Sequence, residues 1–352
     1  MKFLVINPGS TSTKIAIFDN DHSLFEENII HTVDELKPYK HINDQMSYRK
    51  DLIEKHLLLW KIEGSKLDAI IGRGGLLPPV KAGAYEINEQ MIKVLLSKET
   101  VEHASNLAAL IAFELSNEFG LKSYIYDSVA VDQLEDVARL SGSPLIPRTS
   151  FTHALNTRAM AHAHALACGK TYEQMNFIVA HLGGGISVNA HKKGRLIDVI
   201  PDDEGTFSPE RAGRVPCNAL MELCYSGRFD KQDLKKQMRG KGGIVAYLGT
   251  NDVKSVVEKA EAGDQSCELV LDAMTYQVAK SIGEMATVLE GDIDAIILTG
   301  GIAYSKYVTE RIKKRVAFLA DTVIMPGEHE MKALAEGVGR AIRGDEEIHQ
   351  FI

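Results

Sequence analysis

Cysteine is scarce: four residues, Cys168, Cys217, Cys224 and Cys267, in a chain of 352, with no metal-type spacing. That rules out a disulfide scaffold or zinc ribbon and reads as reduced core thiols of a cytosolic protein. Positive charge is also short. Forty Lys and Arg against 48 Asp and Glu leave a net charge of −8, which excludes the broad basic face a nucleic-acid partner needs. No apolar run approaches membrane-spanning length. The first, Phe3 to Ile6, stops at Asn-Pro-Gly and is too short for a secretory signal. Linker-like and low-complexity segments are missing. So are the common nucleotide and metal motifs. Gly169-Lys170-Thr171 resembles the end of a P-loop, but His164 stands where the first glycine belongs and helix-like sequence precedes it. No G-x-G-x-x-G follows a strand, and no His-Glu-x-x-His exists.

What is present is ordinary in bulk and unusual in pattern. Apolar residues make up 45% and charged residues 25%, as in a soluble globular protein of roughly two or three domains' worth of chain. One pattern occurs twice. Phe3-Leu4-Val5-Ile6-Asn7-Pro8-Gly9-Ser10-Thr11-Ser12-Thr13 aligns without a gap on Phe177-Ile178-Val179-Ala180-His181-Leu182-Gly183-Gly184-Gly185-Ile186-Ser187. Each copy reads as a buried strand, a sharp turn and a returning strand, Lys14 to Phe18 and Val188 to His191. Successive N–H groups in such a turn form a concavity that attracts phosphate. Either turn alone reads as an ordinary hairpin. Their recurrence predicts two turns facing across a cleft and gripping one polyphosphate.

Periodicity supplies the frame. Strands are predicted at 67–71, 123–126 and 293–298, and helices at 88–119 (with a break near Ser97), 151–167, 216–226, 253–262, 305–319 and 331–342. The longest helix runs between Gly263 and Gly291, with Cys267, Leu271, Met274, Val278, Ile282, Met285 and Leu289 on one stripe. Alternation of this kind predicts two α/β lobes with mixed sheets. Thr299-Gly300-Gly301-Ile302, at a strand-to-helix junction, is a third place where ligand can approach backbone. Arg73 in a glycine-rich turn, Arg148 after a proline, and Arg211 with Arg214 are candidate anion-binding charges.

Together these residues resemble the acetate and butyrate kinase family, of the sugar kinase/heat-shock ATPase/actin superfamily. The resemblance covers essentially the whole chain. Val5 to Lys14 is similar to the family's opening signature, His181 to Gly185 to its second phosphate segment, and Leu298 to Ile302 to its adenosine segment. Gly72-Arg73-Gly74-Gly75-Leu76-Leu77-Pro78-Pro79 matches the butyrate form, and the length fits that form too. The resemblance implies a two-lobed actin-like ATPase fold of duplicated ribonuclease H-like domains around a nucleotide cleft. It implies lobes at 1–129 and 130–332, with 333–352 packing back on the first. The implied activity is phosphoryl transfer from ATP to butanoate or a related short or branched acid. An acetate or propionate kinase, a sugar kinase of the same superfold and a non-catalytic actin-like module are the alternatives.

Roles then follow by position. Asn7, Ser10, Ser12 and Lys14 would lie by the phosphates, with His181, Gly183, Gly184 and Gly185 from the second turn and Gly300, Gly301 and Ile302 by the adenosine. Arg73 and Arg211 would bind the transferring phosphoryl group and the carboxylate. Mg2+ would be held near Asn7, Asp127 and Glu330, although Glu328 is one short shift away. The family histidine falls on Thr152 when Phe151 is the anchor, and on His153 after a one-residue slip. Gly75, with Gly74, would leave room for extra methylenes, and the acyl tail would lie on Phe151 and Pro209. A cytoplasmic homo-oligomer, a dimer at least, is implied. A carboxylic acid near the glutamate value of about 4.3 is already ionised at neutral pH and needs no general base. Asp127 is therefore expected to orient the metal or its waters.

Overall fold

The computed structural model describes residues 1–352. Twelve strands carry it. The first six are β1 (Lys2–Pro8), β2 (Ser12–Asp19), β3 (His22–Ile30), β4 (Ala69–Arg73), β5 (Ala84–Glu86) and β6 (Lys122–Tyr126). Then come β7 (Asn176–Leu182), β8 (Ile186–Lys192), β9 (Arg195–Ile200), β10 (Ala295–Gly300), β11 (Thr322–Pro326) and β12 (Ile348–Gln350). Two compact units result: residues 1–132 with 329–352, and residues 133–328.

The first unit holds a seven-stranded sheet in the order β12-β5-β6-β4-β1-β2-β3. Strand β1 runs between antiparallel β2 and parallel β4, and helices pack on both its faces, so Phe3 to Ile6 read as an unbroken apolar run. Pairing of Ile6 with Gly72 puts both on one face. There the helix Asn106–Phe119 comes so close that a Cβ on Gly72 would sit 2.7 Å from the Ala108 carbonyl. Phe3, on the opposite face, meets Gly339 of the helix Glu330–Arg343. The 88–119 region is two helices, Glu89–Leu96 and Asn106–Phe119, so the expected break at Ser97 widens to nine residues.

The second unit's five strands run β11-β10-β7-β8-β9. The predicted stripe of the helix Gln265–Val288 is buried as expected, together with Leu289. The two hairpins form as read, and the duplication extends further. Each hairpin continues into a third antiparallel strand with a register shift, β3 and β9, and each first strand pairs in parallel with a later one, β4 and β10. Neither third strand was read from the sequence: β3 is largely exposed, and β9 breaks its apolar run with Asp198. Three of the four cysteines are exposed and only Cys267 is buried, which corrects their reading as core thiols. The 151–167 helix starts at Ala154.

One core residue makes the second unit sensitive to acid. His191 on β8 has no exposure, its Nδ1 lies 2.6 Å from the Tyr172 hydroxyl, and its Nε2 has no hydrogen-bond partner. Burial, and then the nearby Arg158 charge, push the imidazole down to about 3. Below about pH 6.5 the unfolded chain takes up this proton and the folded chain does not, so stability falls as pH drops, until about 3. Between pH 7.5 and 5.0 the cost is about 2 kcal/mol, at 1.36 kcal/mol per unit over the 1.5 units below 6.5. Urea midpoints for the parent and His191→Asn at both pH values should show the variant losing less on acidification. An equal loss in both would remove His191 as the cause.

Candidate active site

In the first unit β1, β4 and β6 are parallel neighbours, and their carboxyl ends place Asn7, Arg73 and Asp127 along one sheet edge, the usual ligand position in such sheets. Glu330, first residue of the last helix, draws two of them together. The Asn7 amide donates to Glu330 Oε2 at 2.7 Å, and Arg73 Nη1 lies 2.7 Å from each carboxylate oxygen. A carboxylate is also favoured at that helix end by the peptide dipoles. Asp127 takes a left-handed backbone (φ 41°), and its Oδ1 accepts the Gly83 N–H at 2.8 Å. Ser10 and Lys14 are exposed and Ser12 is half-buried. Of the two glutamates left open by the sequence, Glu330 is the one on Asn7 and Arg73. Glu328 belongs to the second unit, where its backbone carbonyl accepts from Asn156 at 2.8 Å.

The space beside Gly74 and Gly75 is already used. A Cβ on Gly74 would meet Ser128 at 2.4 Å, and one on Gly75 would meet Asn106 Oδ1 at 2.5 Å. These glycines serve close packing within their unit, so the absence of their side chains does not by itself make room for acyl methylenes.

In the second unit the Gly183–Gly185 turn joins β7 to β8, closed by the Gly183 N–H on the Gly185 carbonyl at 3.1 Å. Arg211 lies over it, and a Cβ on Gly185 would fall 2.3 Å from Arg211 Nη1. The guanidinium occupies the volume a side chain would take. Buried Asp202 fixes it there with an ion pair to Arg211 Nη1, and its oxygens also accept from Arg239 Nη2 at 2.5 and 2.6 Å. Arg239 in turn sits 5.7 Å over the Phe151 ring.

His181 and His153 form a second cluster, their rings stacked at 3.9 Å and 11°. The Asn156 nitrogen donates to the Gly327 and Glu328 carbonyls, so its oxygen faces His181 Nδ1 at 2.8 Å and requires a proton on that nitrogen. His153 Nδ1 lies 2.9 Å from the Ser187 hydroxyl, whereas Thr152 is buried against Ser187 and Asn189. Nearby, a cavity of about 290 Å³ is lined by Gly183, Gly184, Pro209, Asn251, Gly301 and Ile302, among others. Gly300 shapes this region. Its φ is +88°, and a Cβ would meet the Leu182 carbonyl at 2.4 Å, so only glycine lets β10 end against β7. A Cβ on Gly301 or Gly184 would have no neighbour within 4 Å, which leaves backbone open to a ligand. Pro209, expected beside the acyl tail, lines this cavity.

Four of these residues escaped the sequence reading: Asp202, Arg239, Asn156 and His103. Burial and then the charge of Arg73 hold the His103 imidazole below its usual range, so it lies in the field of that arginine. The acidic run Asp202-Asp203-Glu204 after an apolar strand was the one available signal. The partners of Asn156 and His103 are set by folding alone.

Comparison with known proteins agrees with this architecture. Residues 149–332 match the Acetokinase family. "Butyrate kinase 2" of Clostridium acetobutylicum is 49% identical over 352 residues, covering 99% of each chain, and "Butyrate kinase 1" of the same organism is 48% identical with the same coverage. The crystal structure of Porphyromonas gingivalis acetate kinase superposes with a TM-score of 0.78 at 17% identity, covering 96% of this chain and 98% of that one. The fold is thus the actin-like mixed α/β fold of the acetate kinases.

Proposed function

This chain belongs to the acetokinase family, and from that premise we infer that it transfers a phosphoryl group reversibly between ATP and the carboxylate of butanoate. The observation that carries the reading is Asn7 and Arg73 held on Glu330, in a chain nearly half identical end to end to butyrate kinases. In the forward direction a carboxylate oxygen bonds to the γ-phosphorus while the bond to the β-phosphate oxygen breaks, giving butanoyl phosphate and ADP. Because the acid is ionised at neutral pH, no side chain has to remove a proton. The task is to bring two anions together, and fixed positive charge does this best.

We assign that charge to Arg73 and Arg211. Each uses Nη1 for its carboxylate partner, and a guanidinium has five N–H donors, so Glu330 and Asp202 orient these groups without exhausting them. The Gly183–Gly185 turn and Asn7 to Ser12, with Lys14, are assigned to the phosphates, and Gly300, Gly301 and Ile302 to the adenosine. His153 and His181 are assigned as neighbours of the phosphates, His181 with its Nδ1 proton already engaged by Asn156. No cluster of three acidic, histidine or cysteine side chains forms a metal cage. That suits magnesium, which is usually held by one or two carboxylates together with substrate phosphates. Glu330 and Asp127, with the Asn7 amide, would hold it. When bound, the ion neutralises charge on the transferring phosphates. The reading includes a cytoplasmic location and a homo-oligomeric state, both resting on family resemblance. No helix is long and apolar enough to cross a membrane.

The test is an acid panel assayed by trapping the acyl phosphate as hydroxamate. Butanoate has two more methylenes than acetate, each worth about 0.8 kcal/mol when buried, so kcat/KM should favour butanoate by about 15-fold. Propionate, valerate and branched acids should also turn over. Equal kcat/KM for acetate and butanoate would favour the acetate kinase reading, and ATP hydrolysis indifferent to any acid would favour a nucleotide-switched module.

A further inference from the structure

The guanidinium of Arg49 is completely buried in the first unit, and no carboxylate pairs with it. Its partners are neutral oxygens. Nη1 donates to the carbonyls of Gly9 and Ser12, both at 2.8 Å, and to Thr13 Oγ1 at 3.0 Å. Nη2 donates to the Ser10 carbonyl at 3.1 Å and to Gln45 Oε1 at 2.8 Å, and Nε to the same Gln45 oxygen at 3.2 Å. The Thr11 carbonyl accepts the His31 backbone N–H at 2.9 Å. Four consecutive carbonyls, residues 9 to 12, are therefore engaged, three of them by one side chain on the helix Met46–Leu59. A peptide whose carbonyl points one way points its N–H the other, so a cation behind the turn holds the N–H groups of a phosphate cradle outward.

The electrostatics point the same way. Burial is the main influence on Arg49 and acts against its charge. Next to it His31 is driven toward its neutral form, by burial first and by Arg49 second. Its ring lies 2.8 Å from Thr13 Oγ1 and 3.5 Å from the Tyr48 hydroxyl. A buried cation surrounded by neutral groups is costly and is relieved when an anion comes near. We propose that Arg49 is the positioning residue of the Gly9–Thr13 turn and that the anion balancing its charge is the phosphate of the bound nucleotide. The inference rests on reading this turn as a phosphate site. It adds a residue that touches neither nucleotide nor acid.

Full-length Arg49→Gln and Arg49→Lys decide it, with ADP and inorganic phosphate as probes in calorimetric titration and ATP and butanoate in steady-state assays. For Arg49→Gln the KM for ATP and the Kd for ADP should rise about tenfold or more, while the KM for butanoate changes less than threefold. Arg49→Lys keeps the charge and should recover most of that loss. ADP binding by folded Arg49→Gln at the parent affinity would overturn the proposal. So would equal impairment of the Lys and Gln variants, which would leave only a scaffold role. If Arg49→Gln does not fold, Arg49→Lys alone is decisive: phosphate affinity within about fivefold of the parent supports a charge role, and a hundredfold loss overturns it. An active parent with an unaffected Arg49→Gln refutes this inference alone. A parent inactive on every acid refutes the functional reading instead.

Discussion

Arg211→Ala should lower kcat about 10³-fold or more while the protein stays folded. The expectation follows from phosphoryl transfer itself, where guanidinium groups stabilising the charge of the transition state are worth about 10³ to 10⁵ in rate. Arg211 is half-exposed on a loop, and its removal takes away an ion pair and no core volume. What remains is Asp202, buried and still paired with Arg239, so its charge is not stranded. The loss should appear in kcat more than in the KM for ATP, since an interaction made mainly in the transition state leaves ground-state binding little changed. Single-turnover formation of butanoyl phosphate measures this directly. Turnover at the parent rate would mean that Arg211 has no part in the reaction.

Gly185→Ala should produce a loss of about 10²-fold without removing any charge. The new methyl would lie 2.3 Å from Arg211 Nη1, well inside van der Waals contact. The obstacle is the far end of a flexible side chain, so the turn can keep its shape and the guanidinium must move. Asp202 resists that movement, which leaves Arg211 displaced by roughly 1 Å, an error that can cost about 10² in rate. Thermal melting should change little, because the strands on either side of the turn keep their pairing. Gly184→Ala separates the two effects: its Cβ has no protein neighbour within 4 Å, so Arg211 keeps its place, and a loss there should fall on the KM for ATP rather than on kcat. If Gly185→Ala were as active as the parent, the observed seat of Arg211 on the turn would be irrelevant to catalysis.

The sequence by itself determined the elements that depend on short-range pattern. Phe3 to Ile6 and Phe177 to Ala180 announce buried central strands because a strand covered on both faces needs apolar residues at every position. The stripe from Cys267 to Leu289 announces a helix because its period matches one face. The gapless repeat of turn and returning strand exposed a duplication that the sheets then extended through β4 and β10, β3 and β9. Arg73 stood out in a glycine-rich turn after a strand, whereas roles for Asn7 and Asp127 came from the family resemblance, and all three lie at the carboxyl ends of parallel strands.

Tertiary structure decided which groups meet. Glu330 is 323 residues from Asn7 and 257 from Arg73, and only the return of the last helix to the first sheet makes them neighbours. Asp202 gathers Arg211 and Arg239 from later loops, and Arg49 reaches Gly9 from a helix whose apolar pattern gave no strong signal. Gly75 shows the opposite error, since missing side chains suggested space that Asn106 fills. The physical reason is common to all four cases. Local pattern reports which face of an element is buried, whereas a site is defined by polar partners whose separation in sequence carries no periodicity, and only packing in three dimensions sets their distances.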